Sequence, residues 1–175
     1  QARRASGRTK IIVTCRRPEE ALPSAPPYSI RRVKNIPRAE KVRLLKQAIE
    51  LGADFVDIEL AEGDKIIGCL KRHCKKTKSR ARLVVSWHDM HKTPSFKELK
   101  EIFDACAATG ADIVKIVPYA TRLDDNIKVL KLIGYAAARQ KKIITMCMGD
   151  LGQTSRLVAP LWGSYLAFGV LPGGK

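Results

Sequence analysis

With 175 residues and 45% apolar side chains, the chain is long enough to fold around one core, and its hydropathy is that of an ordinary globular domain. Its charge is not ordinary: 33 Lys and Arg against 17 Asp and Glu leave a formal net charge of +16, which implies attraction to polyanions or to small anionic substrates. No run approaches the ~18 apolar residues of a membrane-spanning helix. The longest candidate, Leu161 to Leu171, is broken by Gly163, Ser164 and Gly169, so a soluble protein without a membrane partner is expected.

Residues 1–9 read as a basic leader or linker, Ser/Thr-bearing and without an acidic side chain, ahead of one domain over residues 10–175. The leader has the composition of a transit-segment remnant. The first residue is not Met, which suggests a start inside a longer product. The cysteines, Cys15, Cys69, Cys74, Cys106 and Cys147, are odd in number and scattered without a CxxC pair. Reduced thiols are expected, in a cytoplasmic or organellar (plastid or mitochondrial) reducing compartment. Cys69, His73 and Cys74 lie close together, but a structural zinc site needs four spaced ligands and no second pair follows, so no metal is expected.

In chain order, Lys10 to Arg16 has the β-branched content of a strand, and five prolines between Arg17 and Pro37 make that stretch a long loop. Ala39 to Leu51 carries Val42, Leu45 and Ile49 at helical spacing and stops at Gly52. Asp54 to Leu60 predicts a strand with Asp57 and Glu59 on one face. In an open sheet that face is solvated; in a barrel it points inward. A lysine-rich helix is predicted over Glu62 to Lys78, then a strand over Arg82 to Trp87 and a polar loop from His88 to Pro94. A helix over Ser95 to Thr109 stops at Gly110. Ala111 to Pro118 predicts a buried strand, then come a helix over Leu123 to Arg139 and a strand over Ile143 to Met148. A short helix over Ser155 to Trp162 and a last strand over Ser164 to Phe168 complete the pattern.

Alternating strand and helix is the signature of a parallel α/β fold. No Gly-rich phosphate turn of the GxGxxG or P-loop kind is present, and polar residues gather at the carboxyl ends of successive strands, which favours a β/α barrel. Lys115 sits in the middle of the otherwise apolar run Ile113-Val114-Lys115-Ile116-Val117. An ammonium there must pair, snorkel to water or lose its proton. A desolvated lysine with a lowered pKa is a nucleophile for a carbonyl.

Thr14-Cys15-Arg16, Asp57-Ile58-Glu59-Leu60, Ser86-Trp87-His88-Asp89, Gly110 to Lys115, Met146-Cys147-Met148-Gly149, Ser155-Arg156-Leu157 and Phe168-Gly169 occur in an order and spacing that resembles type I 3-dehydroquinate dehydratase. The resemblance runs from Lys10 onward. It implies a (β/α)8 TIM-type barrel and the shikimate-pathway conversion of 3-dehydroquinate to 3-dehydroshikimate and water through a lysine imine, with no cofactor. Six of the eight β/α units are expected here, without counterparts of the first two strands or of the C-terminal loop that closes over substrate. By the resemblance, Lys115 matches the Schiff-base lysine, His88 the general acid/base, and Glu20 the glutamate that pairs with that histidine, although Ala21 and Leu22 replace the usual two glycines. Arg16 and Arg156 match substrate-binding arginines, and Met146, Met148 and Phe168 the apolar residues against the ring. Asp57 and Glu59 are expected to position cationic groups, and His91 to support the loop or the site from behind. A homodimer or a fusion to shikimate dehydrogenase is implied as a partner arrangement.

A second reading comes from two basic tracts, Arg31, Arg32, Lys34, Arg38, Lys41, Arg43 and Lys46, and then Lys71 to Arg82. As solvated faces they need no explanation. On a catalytically inactive barrel they would suit phosphate-backbone contacts in an RNA assembly such as a ribosome.

Overall fold

A computed structural model of the chain describes residues 9–17 and 36–169. The fold alternates β1 (Ile12–Thr14), α1 (Arg38–Glu50), β2 (Phe55–Glu59), α2 (Asp64–Lys76), β3 (Arg82–Asp89), α3 (Phe96–Ala108), β4 (Ile113–Pro118), α4 (Asp125–Ala138), β5 (Lys142–Thr145) and α5 (Gln153–Trp162). The five described strands form one parallel sheet in the order β1-β2-β3-β4-β5.

That order separates the two α/β architectures. A doubly wound sheet reverses strand order at a switch point and carries helices on both faces. Here order never reverses, and the helices pack on one face. Val56 and Ile58 of β2, Leu83 and Val85 of β3, and Val114 and Ile116 of β4 share a core with Leu45, Ile67, Leu70, Leu99, Phe103 and Leu132 of the helices. The alternate residues Phe55, Val84, Ile113, Val117 and Ile144 form a second cluster, joined by Met146 and Met148 and containing no helical residue. A sheet with helices outside and a separate apolar-and-polar layer inside is the β/α barrel arrangement.

Local chemistry explains the boundaries. Ser95 caps α3 through a full capping box, its hydroxyl accepting from the Glu98 N–H while the Glu98 carboxylate accepts from the Ser95 N–H. The helix predicted over Glu62 to Lys78 divides at Gly63, whose φ of +85° separates a 3-10 turn (Leu60–Glu62) from α2. β3 runs further than expected and takes in His88 and Asp89, so His88 projects from a strand rather than a loop.

The sixth predicted strand, Ser164 to Phe168, is irregular. Tyr165 N donates to Ile143 O at 2.7 Å, but Ser164 Oγ accepts from Thr145 N and donates to Leu166 O, so a side chain takes the bonds a ladder would need. β5 likewise ends at Thr145 instead of Met148. The chain continues through a single bridge between Tyr119 and Met148, with Cys147 N satisfied by Ser155 Oγ. Among the described residues there are thus five strands where six were expected.

Candidate active site

The inward face of β2, β3 and β4 carries the site. In register, Glu59 lies beside Ser86, Ser86 beside Lys115, and His88 beside Val117, which puts polar side chains of three strands in two adjacent layers. Period-2 alternation delivers them: the residues between point to the helices.

Lys115 is only 6% exposed. Its Nζ donates to Asp57 Oδ2 at 3.0 Å and stands 4.4 Å from the centroid of the Phe168 ring. Burial pushes its pKa below the ordinary lysine value; Asp57 opposes that shift and Arg16 adds to it. Asp57 is 1% exposed. Burial works against its charge, but Lys115 and Arg16 beside it hold its carboxyl below the usual range. Burial thus disfavours the ammonium while the carboxylate beside it favours it.

Arg16, just past β1, reaches across the sheet ends. Its Nη2 donates to Asp57 Oδ2 at 3.0 Å, and its Nη1 faces Glu59 Oε1 at 3.3 Å, Ser86 Oγ at 3.0 Å and His88 Nδ1 at 3.1 Å. The His88 pKa is pushed down to about 3, by burial first and then by the charges of Arg16 and Lys115. At neutral pH the ring is therefore uncharged.

Met146 and Met148 are buried in the inner cluster, against which Phe168 packs. Arg156, on α5, donates from Nη1 to Phe168 O at 3.3 Å, which ties the arginine to the segment that covers Lys115. His91 is exposed in the turn after β3, where its backbone N–H donates to Asp89 Oδ1 at 2.8 Å. Glu20 lies outside the described residues, as do Arg31, Arg32 and Lys34 of the first basic tract. Among the described residues no group of three or more His, Cys, Asp or Glu side chains is placed to hold a metal ion. His73 Nε2 instead stands 2.9 Å from Glu50 Oε1. No helix among the described residues is long and apolar enough to cross a membrane.

One buried charge beside Glu59 was not singled out from the sequence. Lys41, taken with the first basic tract as solvated, is 3% exposed and donates to Glu59 Oε2 at 3.1 Å and to Glu62 Oε1 at 2.6 Å. A signal was present: Lys41, Leu45 and Ile49 fall four residues apart on the buried stripe of α1.

The family model described as Type I 3-dehydroquinase matches residues 1–175. The chain belongs to the type I 3-dehydroquinase family. It is 35% identical over 168 residues to the 3-dehydroquinate dehydratase of Thermococcus gammatolerans, covering 94% of this chain and 70% of that protein. The crystal structure of the type I 3-dehydroquinate dehydratase of Clostridium difficile with covalently modified comenic acid superposes with a TM-score of 0.82 at 27% identity, over 95% of this chain and 63% of that one. The bifunctional chloroplastic 3-dehydroquinate dehydratase/shikimate dehydrogenase of Arabidopsis thaliana is 34% identical over 136 residues, 78% of this chain and 22% of that protein. The chain thus spans 54 to 70% of the single-function relatives it matches, and the parallel sheet of its five described strands is of the TIM-barrel type found in dehydroquinase structures.

Proposed function

We propose that the chain dehydrates 3-dehydroquinate to 3-dehydroshikimate, with Lys115 as the nucleophile. The observation that carries this reading is a lysine buried on the inward face, 3.0 Å from a carboxylate and on the strand next to a neutral histidine, in a chain of this family.

The amine of Lys115, neutral when solvent has taken its proton, adds to the C3 ketone, and loss of water gives the iminium. The iminium draws electrons from C2 and acidifies its proton. His88 takes that proton and returns one to the C1 hydroxyl, which leaves as water. Hydrolysis of the imine then frees the product and the amine. Arg156 is suited to hold the substrate carboxylate through paired N–H bonds, and Met146, Met148 and Phe168 to pack on the ring. Glu20 is the candidate to orient His88 once substrate is bound.

Arg16 has a timing role. A guanidinium cannot accept, so His88 Nδ1 is the acceptor of their contact, and the basic lone pair of the neutral ring is occupied. When Arg16 turns to an oxygen of the substrate, that lone pair becomes available. The reading of a basic RNA-binding scaffold is not favoured: Lys41 of the first tract is buried against carboxylates, and Arg38 and Arg43 are paired with Glu62 and Glu40. The family includes fusions to shikimate dehydrogenase, and such a fusion or a homodimer is the partner arrangement proposed here.

Borohydride treatment in the presence of 3-dehydroquinate tests the reading. A reduced adduct mapped to Lys115 by peptide mass spectrometry is expected. Its absence, with the protein folded, overturns the assignment.

A further inference from the structure

Arg16 Nη1 carries two hydrogens and faces three acceptors: Glu59 Oε1 at 3.3 Å, Ser86 Oγ at 3.0 Å and His88 Nδ1 at 3.1 Å. The carboxylate should hold the closest contact, because it alone of the three acceptors is an anion facing the guanidinium cation. Yet the carboxylate holds the longest of the three contacts. Two other donors share its charge, one on each oxygen. Glu59 Oε2 accepts from the buried ammonium of Lys41 at 3.1 Å, while Oε1 also accepts the Arg17 backbone N–H at 2.7 Å. Lys41 in turn is anchored by Glu62 at 2.6 Å, and Glu62 by Arg38 at 3.1 Å.

A chain of alternating charge therefore runs from the exposed start of α1 to the inward face of the sheet: Arg38, Glu62, Lys41, Glu59, Arg16. Its members are separated by 18 to 43 residues in sequence, and its central links lie below 10% exposure, where the low dielectric strengthens each contact. We propose that Lys41 is a positioning residue for the dehydration site: by sharing the charge of Glu59 it keeps Arg16 within reach of His88. Among the described residues, Lys41 pairs with Glu59 and Glu62 and not with His88 or Lys115. Its effect passes through Glu59 and Arg16.

The inference rests on the proposed function only for its catalytic consequence, because the arrangement of His88 can be read without substrate. In Lys41→Met, Glu59 loses its buried counter-charge and draws Arg16 Nη1 to itself. The groups that face His88 include Arg16, Lys115 and Asp57, and those that face Arg16 include Glu59 and Asp57. With Arg16 drawn to Glu59 and one buried cation fewer, the histidine loses a nearby positive charge, so it protonates more readily.

The test is a pH titration of the His88 ring nitrogens by 15N NMR on the intact protein, run beside thermal melts. The expected result is a titration midpoint at least about one pH unit higher in Lys41→Met than in wild type, with Lys41→Arg restoring the wild-type value. Glu62→Gln, which leaves Lys41 wholly to Glu59, is expected to give a midpoint no higher than wild type although its melting temperature falls. Lys41→Gln is measured in parallel in case the methionine variant does not fold. A His88 titration unchanged by loss of Lys41, or raised equally by Glu62→Gln, would overturn the proposal, since the lysine would then be a stabilising ion pair and nothing more. In turnover, the acid limb of kcat/KM should shift with the His88 midpoint, and Lys41→Arg should restore it. A wild type that turns over no 3-dehydroquinate would count against the function and leave the NMR result to decide the positioning role.

Discussion

Arg16 Nη1 lies 3.1 Å from His88 Nδ1, and this contact assigns the ring its tautomer. Arginine offers no lone pair, so Nδ1 accepts and the single ring proton sits on Nε2. A cation beside a buried imidazole also keeps that imidazole neutral. The site is thus held with its histidine uncharged and its Nδ1 engaged.

His88 should remain neutral down to a titration midpoint of about 3, against 6.5 for an unperturbed ring. Arg16→Met should bring the midpoint back toward the unperturbed value and weaken substrate binding. The same depression couples to folding. The unfolded chain takes up the proton first as pH falls, so this contribution to stability is complete above about pH 6.5 and is lost toward pH 3, at no more than about 1.4 kcal/mol per pH unit for one proton. Urea melts between pH 7 and 4, comparing wild type with His88→Gln, would measure it; equal pH slopes would count against it.

Asp57 is buried and shared by Lys115 and Arg16, each at 3.0 Å. Asp57→Asn keeps the shape but leaves two cations with less compensation, and a loss of about 3–5 kcal/mol in stability is expected from breaking buried pairs of this kind. Because the carboxylate raises the Lys115 pKa, the variant should form the borohydride-trapped adduct at lower pH than wild type. Denaturant midpoints and the pH dependence of adduct yield check the two effects separately.

Phe168 covers Lys115 Nζ at 4.4 Å. Burial is the largest cause of the lowered Lys115 pKa, so Phe168→Ala, by admitting water, should raise that pKa and move adduct formation to higher pH. Loss of the ring's attraction for the ammonium acts the other way but is worth only about 0.5–1 kcal/mol at a site open to solvent. A shift to lower pH would mean that the ring contact outweighs desolvation.

Phe103 of α3 is fully buried between helix and sheet and meets Tyr135 edge to face at 5.6 Å. Phe103→Ala should cost about 3–5 kcal/mol through lost transfer energy and the cavity left behind. Ser95→Ala, which removes the α3 capping box, should cost about 1 kcal/mol. Both residues lie on the helix side of the sheet, so calorimetric destabilisation with kcat/KM unchanged at a temperature where the variants are folded is the expected pattern.

Gly152 sits where an added Cβ would lie 2.6 Å from the Cys147 carbonyl oxygen, a backbone atom that cannot swing aside. Gly152→Ala should therefore displace the turn that carries the chain from Met148 to Arg156, lowering both the melting temperature and substrate affinity. A KM unchanged from wild type would show that the turn can shift without moving the arginine.

Strand and helix alternation, the buried character of the Lys115 strand and the inward face shared by Asp57 and Glu59 were all legible in the sequence, because the period of side-chain direction is a property of the local backbone. The resemblance also singled out Lys115, His88 and Arg16. What local pattern could not decide was which charges meet. Arg16 and His88 are 72 residues apart in sequence, and Lys41 and Glu59 are 18 apart on different elements. Only the parallel register of β1, β2 and β3 and the docking of α1 bring them together. Lys41 reads as surface in a basic tract until the helix packs its stripe inward, and Ser164 to Phe168 reads as a strand until the Ser164 hydroxyl takes up backbone bonds beside β5. Composition and periodicity determine which face of an element is buried. The partners of a buried charge are decided by tertiary packing, because an ion pair forms wherever the fold leaves a desolvated cation and carboxylate within reach of each other.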